Sequence, residues 1–262
     1  MDSDLSRYLT ELVRAAGAVP GVELVGAYAG GSVGLDAYQA GRSDVDVALV
    51  SAGVLGYEAK RALVARLRHE ALPCPARGLE LVVYRRDVAR SGVPDPGFEV
   101  ELNTGARMAF RATYDPADRP VADGHFWYGL DRSILHQHGR ALLGPPAGEA
   151  FADLSPADLR RLLVEALSWW LARPVPPGDV PAPGTEDAVL GAARALVRFR
   201  HGVWLSKGDA GRRLATDGGD RDDRWVVDLL ERSVAARAGG APPHGPEARA
   251  FQRRVLAEIS AG

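Results

Sequence analysis

The sequence predicts an α+β fold in two parts, an α/β domain over 1–120 and an all-helical domain over 121–262. Three observations carry that prediction. Alternating or continuous apolar runs of strand length are confined to the first half. Apolar residues at helical spacing dominate the second half, with no convincing strand after about residue 120. The Pro-rich stretch PVPPGDVPAPG (174–184) breaks that helical half without a strand pattern beside it, because proline removes a backbone donor and clashes with the preceding turn.

Taken in order, Leu5, Tyr8, Leu9, Leu12 and Val13 recur as one face of an opening helix. Val22 to Tyr28 reads as a strand, followed by a Gly-rich turn at Gly30-Gly31-Ser32. DVDVALV (44–50) alternates polar and apolar residues as a half-buried strand does. Tyr57 to Leu72 reads as a helix with Ala62, Leu63, Leu67 and Ala71 on one face. LELVVY (79–84) is a third strand and 98–102 a candidate fourth. Helices are then expected over 129–143, 155–172, 186–204, 221–238 and 246–260. No internal repeat is visible.

Composition narrows the function. The 262 residues are 46% hydrophobic and 25% charged, a soluble globular profile. The formal net charge is −2, whereas a chain that grips nucleic acid through its phosphates is usually basic. A small-molecule substrate is therefore expected, with no nucleic-acid or membrane partner, and a monomer is the simplest state. A single cysteine, Cys74, leaves no internal disulfide, no run reaches membrane-span length, and the acidic Met1-Asp2-Ser3-Asp4 start does not resemble a signal peptide. A cytoplasmic location is expected. Lys60 and Lys207 are the only lysines beside abundant arginine, which singles both out.

The most informative segment is AGGSVGLDAYQAGRSDVDVALV (29–50). Asp44 and Asp46 lie at the start of an apolar strand, and alternate strand residues project to one face. Two neighbouring carboxylates repel unless a cation lies between them, and a hard ion such as Mg²⁺ prefers oxygen ligands. The Gly31-Ser32 turn offers backbone N–H groups and a hydroxyl to phosphate oxygens. Glu80 interrupts the next apolar strand, where a charge needs a partner. Beside Asp44 and Asp46 it completes a three-carboxylate set able to hold Mg²⁺ on a nucleoside triphosphate. Singly, each feature has a plain alternative: a solvated strand end, an ordinary turn, an edge-strand charge. Their order along the chain favours the joint reading.

These residues resemble the signature of the DNA polymerase β-like nucleotidyltransferase superfamily: Gly31-Ser32, a loop, Asp44-Val45-Asp46, then Glu80 at the third acidic position. Two further segments, HGRALLGPP (138–146) and AARALVRFRHGVWLSKGDAGRRLA (192–215), are similar to the helical region of streptomycin/spectinomycin adenylyltransferases. The resemblance implies a mixed sheet in the N-terminal catalytic domain and transfer of AMP from ATP, with Mg²⁺, to a hydroxyl of a cationic aminoglycoside. It implies Asp44, Asp46 and Glu80 as metal ligands and Glu80 as general base. It places Gly31, Ser32, Ser43, Asp44, Asp131, Arg194 and Lys207 around the nucleotide.

For the acceptor the resemblance points to Arg107, Trp169, Trp170, Glu186 and Asp187, besides Glu80. Arg107 stands where the family has a tryptophan. Trp169 and Trp170 have core packing with one exposed ring as their alternative. Glu186 and Asp187 have a helix N-terminus, where acids suit the dipole and Thr185 could cap. His136 and His138, two apart on a helix, make a poor metal pair. The competing functions are a related transferase with another acceptor, a natural product or protein side chain, and a non-catalytic nucleotide-binding relative. Retention of all three carboxylates argues against the last.

Overall fold

The computed structural model describes residues 2–95, 97–174, 178, 180–217 and 224–262. Positions 175–177 and 179 of the Pro-rich connector and 221–223 of an expected helix fall outside them. The chain divides into two compact units, Met1–Ser155 and Pro156–Gly262.

The first unit is built on a six-stranded mixed sheet of order β5-β4-β3-β2-β1-β6. Its strands are β1 (Leu24–Ala29), β2 (Val45–Ser51), β3 (Leu79–Arg85), β4 (Val100–Gly105), β5 (Met108–Thr113) and β6 (Arg140–Leu143). β2 and β3 are parallel, linked through helix α3 (Tyr57–Leu67), and every other pairing is antiparallel. One face carries Val45, Val47, Leu49, Leu79, Leu81, Val83, Val100 and Leu102. It buries them against Leu5, Leu9 and Leu12 of α1 (Ser3–Gly17) and Leu63 and Leu67 of α3. The opposite face carries Ala48, Val50 and Tyr84, covered by Tyr128 and Leu135 of α5 (Phe126–His138) and by Phe151. Phe151 meets the edges of Tyr28 and Tyr84 at ring-centroid distances of 5.0 and 6.4 Å. Short helices α2 (Gly31–Gly34), α4 (Arg86–Ala89) and α6 (Ala147–Ala150) complete this unit.

Several local features of the sheet unit differ from the expectation. The helix expected over 129–143 ends at His138, and Arg140–Leu143 leaves it as β6 beside β1. Gly139 makes the break. A Cβ there would stand 2.6 Å from the Leu135 carbonyl oxygen and 2.7 Å from Ala147 Cβ. β5 was not expected, and Phe110 within it is exposed. α3 stops at Leu67 rather than 72, where Arg68 turns to extended geometry at φ −61° and ψ 151°. Residues 121–155, grouped by sequence with the helical half, belong to the sheet unit because α5 and β6 pack there.

Behind the sheet's second face lies a buried ionic network. Glu101 of β4 accepts from Arg119, from Arg111 at 3.0 Å and from Thr113 Oγ1 at 3.2 Å. Arg119 also donates to Tyr128 Oη at 2.8 Å. Glu101→Ala would strand the buried Arg119 guanidinium without its carboxylate. Breaking one side of a buried pair costs about 3–5 kcal/mol. A loss of that size in denaturant unfolding is expected, with Glu101→Gln losing less. A change under about 1 kcal/mol would show that the network adds little.

The second unit consists of α7 (Pro156–Ala172), α8 (Thr185–His201), α9 (Lys207–Asp217), α10 (Arg224–Arg237) and α11 (Gly245–Ala261). α8 packs on α9, α10 and α11. Leu190, Val197, Leu229, Leu230, Phe251, Val255 and Ile259 form its interior. α9 had no counterpart in the sequence reading. Thr185 does not cap α8: Gly184 holds that position, while the Thr185 hydroxyl lies 2.6 and 2.7 Å from the carbonyls of Ala182 and Pro243.

Candidate active site

The β2–β3 register sets the site. Asp46 and Glu80 are direct partners across the parallel pair, Glu80 is the partner of Asn103 on β4, and Asn103 that of Arg111 on β5. Directly opposed residues share a face, so Asp46, Glu80, Asn103 and Arg111 form one row across four strands. That row continues the Ala48–Val82 face beyond its apolar cover. Asp44, two residues before Asp46, lies at the same end of β2. Its carboxylate receives Arg77 Nη2 at 3.2 Å.

The turn after β1 closes on this row. Gly30 N–H donates to the Asp46 carbonyl at 2.9 Å. Gly31 adopts φ +47°, and a Cβ on it would stand 1.8 Å from Asp46 Oδ2. Only glycine combines that backbone with so close a carboxylate. Gly31→Ala is expected to cost about 1–2 kcal/mol in backbone strain and to dislodge Asp46. Unfolding would report the first effect and turnover the second. Unchanged turnover would show that the Asp46 position does not matter. Ser32 Oγ is buried with no hydrogen-bond partner among the described residues. Ser43 Oγ instead accepts the Gln39 N–H at 3.0 Å and pins the loop before β2.

Glu80 is exposed on the surface of β3, with protein packed closely around it. That surrounding protein, followed by the negative charges of Asp44 and Asp131, pushes its carboxyl up to about 7, against the pull of Arg77. Asp131, on α5, is thus part of the same field. Among the described residues no three acidic, His or Cys side chains stand gathered as a metal-binding group. Arg77 draws Asp44 aside and the Asp46 carboxylate rests against Gly31. The donor chemistry nevertheless fits a hard cation: oxygen ligands on one edge, with mutual repulsion that a divalent ion would relieve.

The remaining sequence-selected residues fall in several places. Arg107 sits at the β4–β5 turn and donates to the Gly41 carbonyl at 2.7 Å. In the second unit, Lys207 Nζ lies 3.2 Å from Asp187 Oδ1, which also accepts from Arg237. Arg194 lies close enough to depress the Lys207 ammonium, and its guanidinium is 5.8 Å from the Trp204 ring. The structure therefore gathers Arg194 and Lys207 and adds Arg237, which no sequence signal marked. Glu186 is buried and accepts the Gly184 N–H at 2.9 Å. Trp169 and Trp170 meet edge-to-face at 4.9 Å, with Trp170 exposed and the Arg173 guanidinium 3.5 Å from the Trp169 ring centroid. His136 Nδ1 is 2.7 Å from the Phe151 carbonyl, a structural role. Lys60, the other lysine, pairs with Glu99 at 3.1 Å and serves the fold.

No family model and no curated protein matches the sequence. Among solved structures, the chain is similar to the crystal structure of the spectinomycin adenyltransferase AAD(9) from Enterococcus faecialis with ATP and spectinomycin. The TM-score is 0.69 at 13% identity, covering 99% of this chain and 100% of that one. A likeness at this identity establishes the fold: α+β, with a mixed six-stranded sheet and a helical C-terminal region. Among the described residues no helix is long and apolar enough to cross a membrane.

Proposed function

We propose that the protein is a Mg²⁺-dependent nucleotidyltransferase that moves AMP from ATP to a hydroxyl of an aminoglycoside such as streptomycin or spectinomycin. One observation carries the reading: the parallel register that sets Asp46 opposite Glu80, with the Gly31-Ser32 turn closed against Asp46. The similar fold of an adenyltransferase crystallised with ATP and spectinomycin supports the same chemistry.

Asp44, Asp46 and Glu80 would hold Mg²⁺, which when bound offsets phosphate charge and polarises the reacting phosphorus. The Ser32 hydroxyl, buried and unpaired, suits a phosphate oxygen, with Gly31 allowing close backbone approach. Ser43 shapes the loop that presents Asp44. Asp131 is proposed near the nucleotide, and Arg194 and Lys207 as contacts to its phosphates. Glu80 takes the proton of the acceptor hydroxyl. The resulting oxygen attacks the α-phosphorus, a new P–O bond forms, and the bond to pyrophosphate breaks. The exposed Trp170 ring, with Trp169, is the proposed acceptor contact. For Glu186 and Asp187 the bonds above favour the helix-terminal and ion-pairing alternatives over direct acceptor binding.

A second reading keeps the transfer but changes the acceptor to a natural product or protein side chain. Arg107 favours it, since it engages Gly41 where the resembled family has an aromatic ring. The test is incubation with ATP, Mg²⁺ and a panel of aminoglycosides, following pyrophosphate and product mass. A gain of one AMP on a drug supports the first reading. Mg²⁺-dependent ATP binding with no transfer to any drug supports the second, and absence of ATP binding sinks both.

A further inference from the structure

We propose that Arg237 is a third cation of the phosphate-binding group in the helical unit and that Asp187 is the positioning residue that holds Arg237 and Lys207 for it. The inference rests on the reading of Arg194 and Lys207 as nucleotide contacts. It goes beyond that reading in adding Arg237 and in giving Asp187 a role other than acceptor binding.

Three helices meet at one carboxylate. Asp187 lies in the first turn of α8, Lys207 begins α9 and Arg237 ends α10. Asp187 Oδ1 accepts from Lys207 at 3.2 Å and from Arg237. Arg194 is seven residues along α8 from Asp187, two turns on the same side. Two cations thus bind a single carboxylate and a third, Arg194, lies close enough to act on Lys207, a surplus of positive charge that favours a polyanion. The groups acting on Lys207 come from both neighbouring helices: Asp187 and Arg194 on α8, and Arg237 on α10. On α9 itself, Asp209 is committed to Ser206 and Arg212, at 2.6 and 2.7 Å. Burial holds the Lys207 ammonium below the ordinary lysine range, Arg194 and Arg237 add to that, and Asp187 opposes it. A carboxylate placed here keeps the lysine protonated and fixes the arginine fork, at the cost of some repulsion toward phosphate. An acid kept against that repulsion is one that organises the cations.

The experiment is calorimetric binding of inorganic tripolyphosphate, and separately of adenosine, to the full chain from neutral to about pH 9. Arg237→Ala should weaken tripolyphosphate about tenfold and leave adenosine unchanged. Asp187→Asn should make tripolyphosphate affinity fall more steeply with rising pH, because Lys207 loses the interaction that retains its proton. Asp187→Glu should restore the original profile. Unchanged affinity in Arg237→Ala, or a profile of Asp187→Asn parallel to wild type, overturns the proposal. Lys207→Ala and Arg194→Ala separate the two failures. If they lose tripolyphosphate while the Arg237 and Asp187 variants do not, only this inference falls. If they also bind normally, the nucleotide role of the whole group falls with it.

Discussion

Glu80→Gln is expected to lower AMP transfer by about 10³-fold with a much smaller loss of ATP binding, because a general base contributes about 10²–10⁴-fold and glutamine cannot accept the proton, while Asp44 and Asp46 remain to hold the cation. The substitution keeps the shape of the side chain and the β3 ladder, so the effect should sit in kcat. The environment of Glu80 adds a pH signature. Its carboxyl is pushed up to about 7 by the protein around it and by Asp44 and Asp131. In the free enzyme it must lose that proton before it can act or help to hold a cation. The kcat/KM of the wild type should therefore fall as pH drops through about 7. Metal affinity should fall with it, since the ligands must be deprotonated. Stability runs the other way. A carboxyl raised above its ordinary 4.5 contributes stability that is present below that value and lost as pH rises through about 7. The metal-free wild type should thus lose some stability across this window and the Gln variant should not, a small effect because the group reaches solvent. Transfer by Glu80→Gln within about tenfold of wild type would remove Glu80 as the base.

Sequence periodicity located the elements that build this edge of the sheet, and the reason is physical. β2 and β3 are central strands whose apolar faces are fixed by burial on α1 and α3, so their pattern is strong and their register follows. Asp44, Asp46 and Glu80 stand out against that apolar background for the same reason. Other elements lack such contrast. β5 is an edge strand with Phe110 turned to solvent, and β6 is four residues of a helix-like stretch, diverted by Gly139. α9 is rich in charge and glycine and carries few apolar positions. Arg237 carried no signal because one arginine among many becomes informative only when tertiary packing brings it to Asp187. Lys60 shows the converse: one of two lysines in the sequence, it pairs with Glu99 and serves local structure.

Asp46→Asn should remove Mg²⁺-dependent turnover, by about 10³-fold or more, with little change in folding. Charge stabilisation by a bound divalent ion supplies several kcal/mol at the transition state, and each 1.36 kcal/mol is tenfold in rate. Asn keeps the volume, and the main-chain bond from Gly30 N–H to the residue 46 carbonyl does not depend on the side chain. The substitution also removes a negative charge directly opposite Glu80, so the metal-free variant should unfold within about 0.5 kcal/mol of wild type or slightly above it. Ligand linkage gives an independent readout. A ligand that binds only the folded state raises Tm, so Mg²⁺ with ATP should raise the Tm of wild type and raise that of the variant far less. Gly31→Ala supplies the comparison, because its Cβ would push at Asp46 Oδ2 without altering any charge. If the site works by holding Asp46 in place, both variants lose turnover, but only Gly31→Ala loses stability as well. If Asp46→Asn turned over normally with Mg²⁺, Asp46 would not be a ligand, and the Asp46–Glu80 pairing would be a feature of the sheet alone.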